Sequence, residues 1–387
     1  MNPRLALLQT YPFDKLRALL AGVTPNPALR PIDLSIGEPK HPTPALVKDA
    51  LAGALDGLSV YPRSAGLPEL RQAIAAWARR RYSLPALDSE TQVLPVNGSR
   101  EALFSFAQAL IDPSMGAKVV CPNPFYQIYE GAALLAGAAP VFLNHGMRFD
   151  QIDWQGVQLV YTCSPGNPTG RVMPLEEWRQ LFALSDRHGF SIASDECYAE
   201  IYFEEGKAPL GALDAAQRLG RGDFTRLVVF SSLSKRSNAP GMRSGFVAGD
   251  AALLKQFLLY RTYHGSAMSI AVQRASIAAW NDEAHVRENR RLYAQKFDTA
   301  LPMIEKPLQA ARPDGGFYLW LQTPIDDARF ARGLHEQYNV LVLPGSFLAR
   351  EAHGENPGKN HVRVALVAPL AECVEALGRM MKFAKTL

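Results

Sequence analysis

Cysteine is scarce in this chain: four residues among 387, at Cys121, Cys163, Cys197 and Cys373. They are scattered and show no metal-ligand spacing, which excludes a disulfide framework and a zinc site of the usual kind. Three lie in or beside apolar, strand-like runs, so they read as reduced core residues of a cytoplasmic protein. Charge of either sign is in little excess, with a formal net of +4. That is too small to argue for nucleic acid and permits only a mild bias towards anionic substrates. Long hydrophobic runs are missing, so nothing predicts a membrane span. Met1 to Thr10 lacks an apolar core and a cleavage pattern, and no signal peptide is read there. Repeats and low-complexity tracts are also missing. What remains is ordinary: 48% hydrophobic and 20% charged residues, in a length sufficient for two cores.

One stretch organises the rest, Ser231-Ser232-Leu233-Ser234-Lys235 through Gly241-Met242-Arg243-Ser244-Gly245. It follows Leu227-Val228-Val229-Phe230, an apolar, β-branched run that predicts a buried strand. Lys235 therefore stands just past a strand end, where α/β enzymes keep their chemistry. A lysine amine forms a Schiff base with an aldehyde, and burial or nearby positive charge lowers its pKa towards reactivity. Ser232, Ser234 and Arg243 suit a phosphate. Aldehyde and phosphate on one small molecule indicate pyridoxal 5'-phosphate; the plain alternative is a basic, Ser-rich surface loop. Other strand exits carry polar residues too. Asp195 ends the run Phe190-Ser191-Ile192-Ala193-Ser194, and a buried carboxylate needs a partner. Arg363 alternates with Val362 and Val364, so it points to the opposite face of its strand, where a carboxylate would pair with it.

The pattern Ser-x-Ser-Lys-x-x-x-x-x-Gly-x-Arg-x-Gly resembles the lysine motif of the class I aminotransferases, the fold-type I pyridoxal-phosphate enzymes. Ser244 departs from the aliphatic residue many members carry there. Five further segments resemble the family in order: Leu34-Ser35-Ile36-Gly37-Glu38-Pro39, Tyr61-Pro62-Arg63-Ser64-Ala65-Gly66, Asn97-Gly98-Ser99-Arg100, Asn167-Pro168-Thr169-Gly170 and Asp195-Glu196-Cys197-Tyr198. The resemblance covers nearly the whole chain. It implies an α/β fold, with a large domain on a mostly parallel seven-stranded sheet and a small α/β domain. The expected boundaries are 1–44 for an N-terminal arm with part of the small domain, 45–280 for the cofactor domain and 281–387 for the small C-terminal domain.

Roles follow from the same resemblance. Lys235 would anchor the cofactor and carry the proton. Asp195 would pair with the pyridinium nitrogen and keep the ring an electron sink. Asn167 and Tyr198 would share its phenolic oxygen, and Tyr126 would stack on the ring. Gly98, Ser99, Arg100, Ser232 and Arg243 would surround the phosphate, with Arg100 open to phosphate, substrate or solvent. Tyr61 would reach the neighbouring subunit's phosphate, which requires a homodimer. Gly37 and Arg363 would bind the substrate carboxylate beside Asn167. No metal, nucleic acid or membrane partner is expected. The N-terminal segment, the Gly-Glu-Pro-Lys-His-Pro-Thr-Pro turn and Tyr61–Leu67 look most like bacterial N-succinyldiaminopimelate aminotransferases of lysine biosynthesis. A distal succinyl carboxylate wants a second cation, and Arg63, Arg100 and Arg261 are the candidates. Rival expectations are another amino-acid aminotransferase for aspartate or aromatic substrates, and a pyridoxal-phosphate β-lyase. A non-catalytic regulatory module of this fold carries a DNA-binding segment, and no stretch before residue 30 is long enough for one. A loop histidine, His264, and a long helix over 283–312 complete the expectations.

Overall fold

A computed structural model describes residues 1–387. Its strands run β1 (Ile32–Asp33), β2 (Val93–Val96), β3 (Lys118–Asn123), β4 (Ala139–Asn144), β5 (Val157–Cys163) and β6 (Ser191–Asp195). They continue with β7 (Leu227–Ser232), β8 (Gly245–Gly249), β9 (Tyr318–Gln322), β10 (Val340–Leu341), β11 (Leu343–Pro344) and β12 (His361–Ala365). The helices are α1 (Pro12–Leu19), α2 (Ala45–Ala52), α3 (Pro68–Arg81), α4 (Ser99–Leu110), α5 (Ile128–Ala136), α6 (Leu175–His188) and α7 (Ala212–Arg218). After them come α8 (Leu233–Arg236), α9 (Ala251–His264), α10 (Ile270–Asn281), α11 (Ala284–Ala300), α12 (Asp327–Tyr338) and α13 (Leu370–Ala384).

Seven strands form one sheet in the order β2-β8-β7-β6-β5-β3-β4. Neighbours are parallel except around β8, which runs against both β2 and β7. The central strands are buried along their whole length, because helices cover both faces; hence the near-continuous apolar runs in the sequence. Side-chain alternation divides β7 between two cores. Leu227 and Val229 join one with Trp77, Trp178 and Trp280, while Val228 and Phe230 join the other with Phe106 and Tyr161. Each large side chain so buried stabilises the fold by about 1.5–3 kcal/mol before entropy is counted.

A third core unites distant stretches. Ile32 and Leu34 pack with Phe297, Leu321, Phe330, Val340 and Val364. Strand β1 pairs in parallel with β10, and β11-β12-β9 form an antiparallel sheet. Local signals set the helix ends here. The Asp250 carboxylate accepts from the N–H groups of Ala252 and Leu253 at the start of α9, and Asp326 caps α12, which ends at Asn339 in the left-handed region (φ +50).

One expectation needs correction. The helix predicted over 283–312 ends at Ala300 and passes into a single 3-10 turn, Leu301–Met303. Pro302 and Pro307 forbid its continuation, since proline has no N–H to donate and clashes with the preceding turn. The run Val340–Leu343 is two strands, β10 serving the ladder with β1 and β11 the ladder with β12.

Candidate active site

The exits of β5, β6 and β7 open into a cavity of about 380 Å³. Asp195 is the last residue of β6; Asn167 follows β5; Lys235 lies in the short helix α8 after β7. Four cationic side chains line the cavity, Arg100, Lys235, Arg243 and Arg363, against one carboxylate, Asp195. This surplus suits a ligand carrying more than one negative charge.

The Lys235 amine donates to the Gly37 carbonyl at 2.6 Å and lies 5.5 Å from the centre of the Phe317 ring. Burial lowers its pKa to about 8, and Arg363 and Arg243 push the same way. Glycine is required at position 37: a Cβ there would meet the Tyr318 hydroxyl at 1.8 Å. Asp195 is 4% exposed. Its carboxylate accepts from the Tyr129 hydroxyl at 2.7 Å and the Cys197 N–H at 3.2 Å. Burial raises its pKa, and these hydrogen bonds oppose the rise. No cation forms an ion pair with Asp195, so a protonated ring nitrogen would supply the missing partner.

Arg363 donates to Asn167 Oδ1 at 3.0 Å and to the Ser35 carbonyl at 2.8 Å, and lies over the Tyr318 ring at 4.4 Å. Its Nε is buried and without a partner. A planar guanidinium with free donors facing a cavity is built for a bidentate carboxylate. On the opposite side, α4 starts after Gly98 (φ +83) with no capping side chain, so the N–H groups of its first turn are free for an anion. The Arg243 guanidinium lies directly against Gly98, where a Cβ would stand 2.6 Å from Nη2. Ser99, Ser232 and Ser234 line the same wall.

Arg100 also lines the cavity. Its guanidinium donates to the hydroxyls of Tyr126 (2.5 Å) and Tyr11 (3.0 Å) and pairs with no carboxylate. The other two candidate cations lie elsewhere. Arg261 is fully buried and paired with Glu101 at 2.9 Å, and Arg63 does not line the cavity. His264 ends α9, stacked on Tyr260 outside the cavity. Tyr61 is 99% exposed and does not line the cavity of its own chain.

The family-model match spans residues 30–379 and is to aminotransferase class I and II. The chain belongs to this family. As an aminotransferase it is an enzyme that depends on pyridoxal phosphate, with the fold-type I architecture of its structural neighbours. It is similar to an aminotransferase structure from Neisseria meningitidis, at 52% identity and TM-score 0.96, over 99% of this chain and 100% of that one. It is 30% identical to an LL-diaminopimelate aminotransferase of Maridesulfovibrio salexigens, covering 98% of each. A probable N-succinyldiaminopimelate aminotransferase from Thermus thermophilus shares the fold at TM-score 0.84 and 27% identity, over 96% of this chain and 100% of that one.

The cavity fits the aminotransferase cofactor: one carboxylate without a cation for the ring nitrogen, one amine for the aldehyde, and one arginine-lined helix start for the phosphate. Three contributors went unread in the sequence. Tyr129 is core packing, stacked on Tyr161 at 4.7 Å, yet its hydroxyl serves Asp195. Tyr318 bonds the Tyr198 hydroxyl at 3.0 Å and confines Gly37. Its signal was the strand register, which sets Tyr318 opposite Ala365, two residues beyond Arg363. Tyr11 opens the N-terminal segment, which carries a resemblance but suggests no site role for this residue.

Proposed function

We propose that this aminotransferase exchanges the amino group of glutamate with a keto acid bearing a distal carboxylate. Our best reading is the N-succinyl-L,L-diaminopimelate:2-oxoglutarate reaction of lysine biosynthesis. The observation that carries the substrate class is Arg100. It is the one candidate second cation at the cavity, held by two tyrosine hydroxyls and paired with no acid. The relatives whose names specify diaminopimelate or succinyldiaminopimelate support the same class.

The residues then take these roles. When bound, pyridoxal phosphate supplies an electron sink for the pair left when the substrate Cα–H bond breaks. Lys235 anchors it and moves the proton from Cα, a task suited to an amine with pKa about 8. Asp195 holds the charge of the ring nitrogen. Asn167 and Tyr198 face the phenolic oxygen, and Tyr126 covers the ring. Gly98, Ser99, Ser232 and Arg243 hold the phosphate, and Tyr61 completes that site from the second subunit of a homodimer. Arg363 grips the α-carboxylate, with Gly37 closing over it, and Arg100 reads the distal one. Residues 45–280 form the cofactor domain, and 281–387 with 1–44 the small domain; the separate core around Ile32, Leu34 and Val364 supports this division. A cytoplasmic setting accords with four free cysteines.

Spectroscopy tests the reading. The purified, cofactor-loaded protein should lose its visible absorbance on addition of L-glutamate and release 2-oxoglutarate. N-Succinyl-2-amino-6-oxopimelate should then restore the absorbance. Arg100→Gln should weaken kcat/KM for this acceptor by about 10- to 100-fold, with a much smaller effect on pyruvate. A variant that loses both acceptors equally would remove Arg100 from substrate recognition. Absorbance unmoved by any amino donor would sink the reaction itself, and production of ammonia and pyruvate from a β-substituted amino acid would favour a lyase.

A further inference from the structure

The ammonium of Lys296, on α11, is buried without a carboxylate partner. Such a charge is expensive unless every donor is used. Nζ donates to the Val367 carbonyl at 3.2 Å, faces the Tyr293 ring at 5.0 Å, and meets His41 Nε2 at 2.8 Å. An ammonium only donates, so Nε2 must accept, and the proton of the neutral imidazole sits on Nδ1. Nδ1 faces Asn289 Oδ1 at 2.8 Å and therefore donates to it. The Asn238 amide donates to the same oxygen at 3.1 Å. Asn289 Nδ2 then donates to the backbone carbonyl of Lys235 at 3.2 Å. With Lys296 charged, every hydrogen bond from it to Lys235 thus has a fixed direction; on the acid side His41 is the member that can gain a proton, while Lys296, its pKa lowered by burial to about 8, loses one only above neutrality.

His41 also belongs to the segment on the other side of the lysine, four residues after Gly37, whose carbonyl accepts from the Lys235 amine.

We propose that His41 is a positioning residue for Lys235, competent in its Nδ1–H neutral form and released by a second proton. The proposal rests on the reading of Lys235 as the reacting amine. Protonation would remove the acceptor and set an N–H against an ammonium. The groups facing His41 resist that proton. Burial is the largest influence and lowers its pKa; the hydrogen bond to Asn289 opposes this, and Lys296 adds to the lowering. Glu288 acts the other way, yet it is exposed and held by Arg291. Tyr293 packs on the ring at 4.6 Å as a neutral phenol. Behind Lys296, the Cys373 thiol of α13 is also neutral, its pKa raised by burial.

His41→Gln tests this, because an amide offers one acceptor and one donor and does not titrate. The wild type should lose kcat on the acid side, through one proton with a pKa below the ordinary value of about 6.5. His41→Gln should keep kcat within about threefold at neutral pH and lack that acid limb, whereas His41→Ala should lose about tenfold at all pH values. An acid limb that survives in His41→Gln overturns the proposal. Nitrogen-15 NMR of the histidines in the apoprotein gives a readout independent of turnover. The Nδ1–H tautomer at neutral pH supports the network and Nε2–H overturns it. If the protein transaminates nothing, the functional reading fails, and the tautomer still decides the geometry.

Discussion

At the scale of single residues, the site is costly to the fold that holds it. Lys235 has a pKa of about 8 in the folded chain, lowered by burial, against about 10.4 when unfolded. Near neutrality both states carry the proton, and the folded state carries it unwillingly. As pH rises from 8 towards 10.4, the unfolded chain binds more protons than the folded one, and stability increases. Lys235→Met should therefore make the apoprotein more stable by about 1–3 kcal/mol at neutral pH, with the advantage shrinking as pH approaches 10. Urea melts at two pH values read this directly. The same variant should lose about a thousandfold or more in turnover. An apoprotein no more stable than wild type would show that the hydrogen bond to Gly37 already offsets the desolvation. The residues legible from sequence were those with unusual chemistry for their place, Lys235 and Asp195 at strand exits and Arg363 inside the apolar strand β12. Tyr129, Tyr318 and Tyr11 were not, because an aromatic side chain serves a core and a site equally well, and only the register decides which.

Elements were legible where both faces of a strand are buried. β5, β6, β7 and β8 read as apolar runs and fold as such. Strand β4 carries no such signal: it lies at the sheet edge, opens on Ala139-Pro140 and is only half buried. The motif series also passes over α7, α12 and α13, whose residues build cores, and over α5, whose Tyr129 serves Asp195. One packing contact links element to site. Trp280 of α10 lies 4.7 Å from Trp77 and 5.3 Å from Phe246. Its ring also stacks under the guanidinium of Arg236, at 4.8 Å, next to Lys235 in α8. Trp280→Ala should cost about 3–5 kcal/mol in urea unfolding. It should also lower turnover, because Arg236 loses the surface that seats α8. Unchanged turnover at full folding would mean that the bonds from Arg236 to the Ala279 carbonyl and Glu283 hold α8 alone.

For the molecule as a whole, the region around Tyr61 is conspicuous. Leu55, Leu58, Val60 and Tyr61 stand exposed in one loop of ten residues or fewer. Contiguous apolar exposure of this kind marks an interaction surface. Sedimentation at micromolar concentration should give a dimer. Tyr61→Phe should leave the dimer intact and weaken pyridoxal phosphate binding by about tenfold, the loss of one hydrogen bond to a charged group. A monomer in sedimentation, or unchanged cofactor affinity, would remove Tyr61 from the phosphate site.

The grip of Arg363 on the Ser35 carbonyl joins residues 328 positions apart. Contacts that distant close late, after the large sheet has had time to form. A growing chain on the ribosome can build the seven-stranded sheet and the strand exits well before β10 emerges to receive β1. Before β9 emerges Gly37 has no Tyr318 to confine it, and before β12 emerges the Ser35 carbonyl has no Arg363 to hold it. On the proposed role of Arg363, synthesis order thus withholds substrate binding from every nascent chain that has not yet reached it.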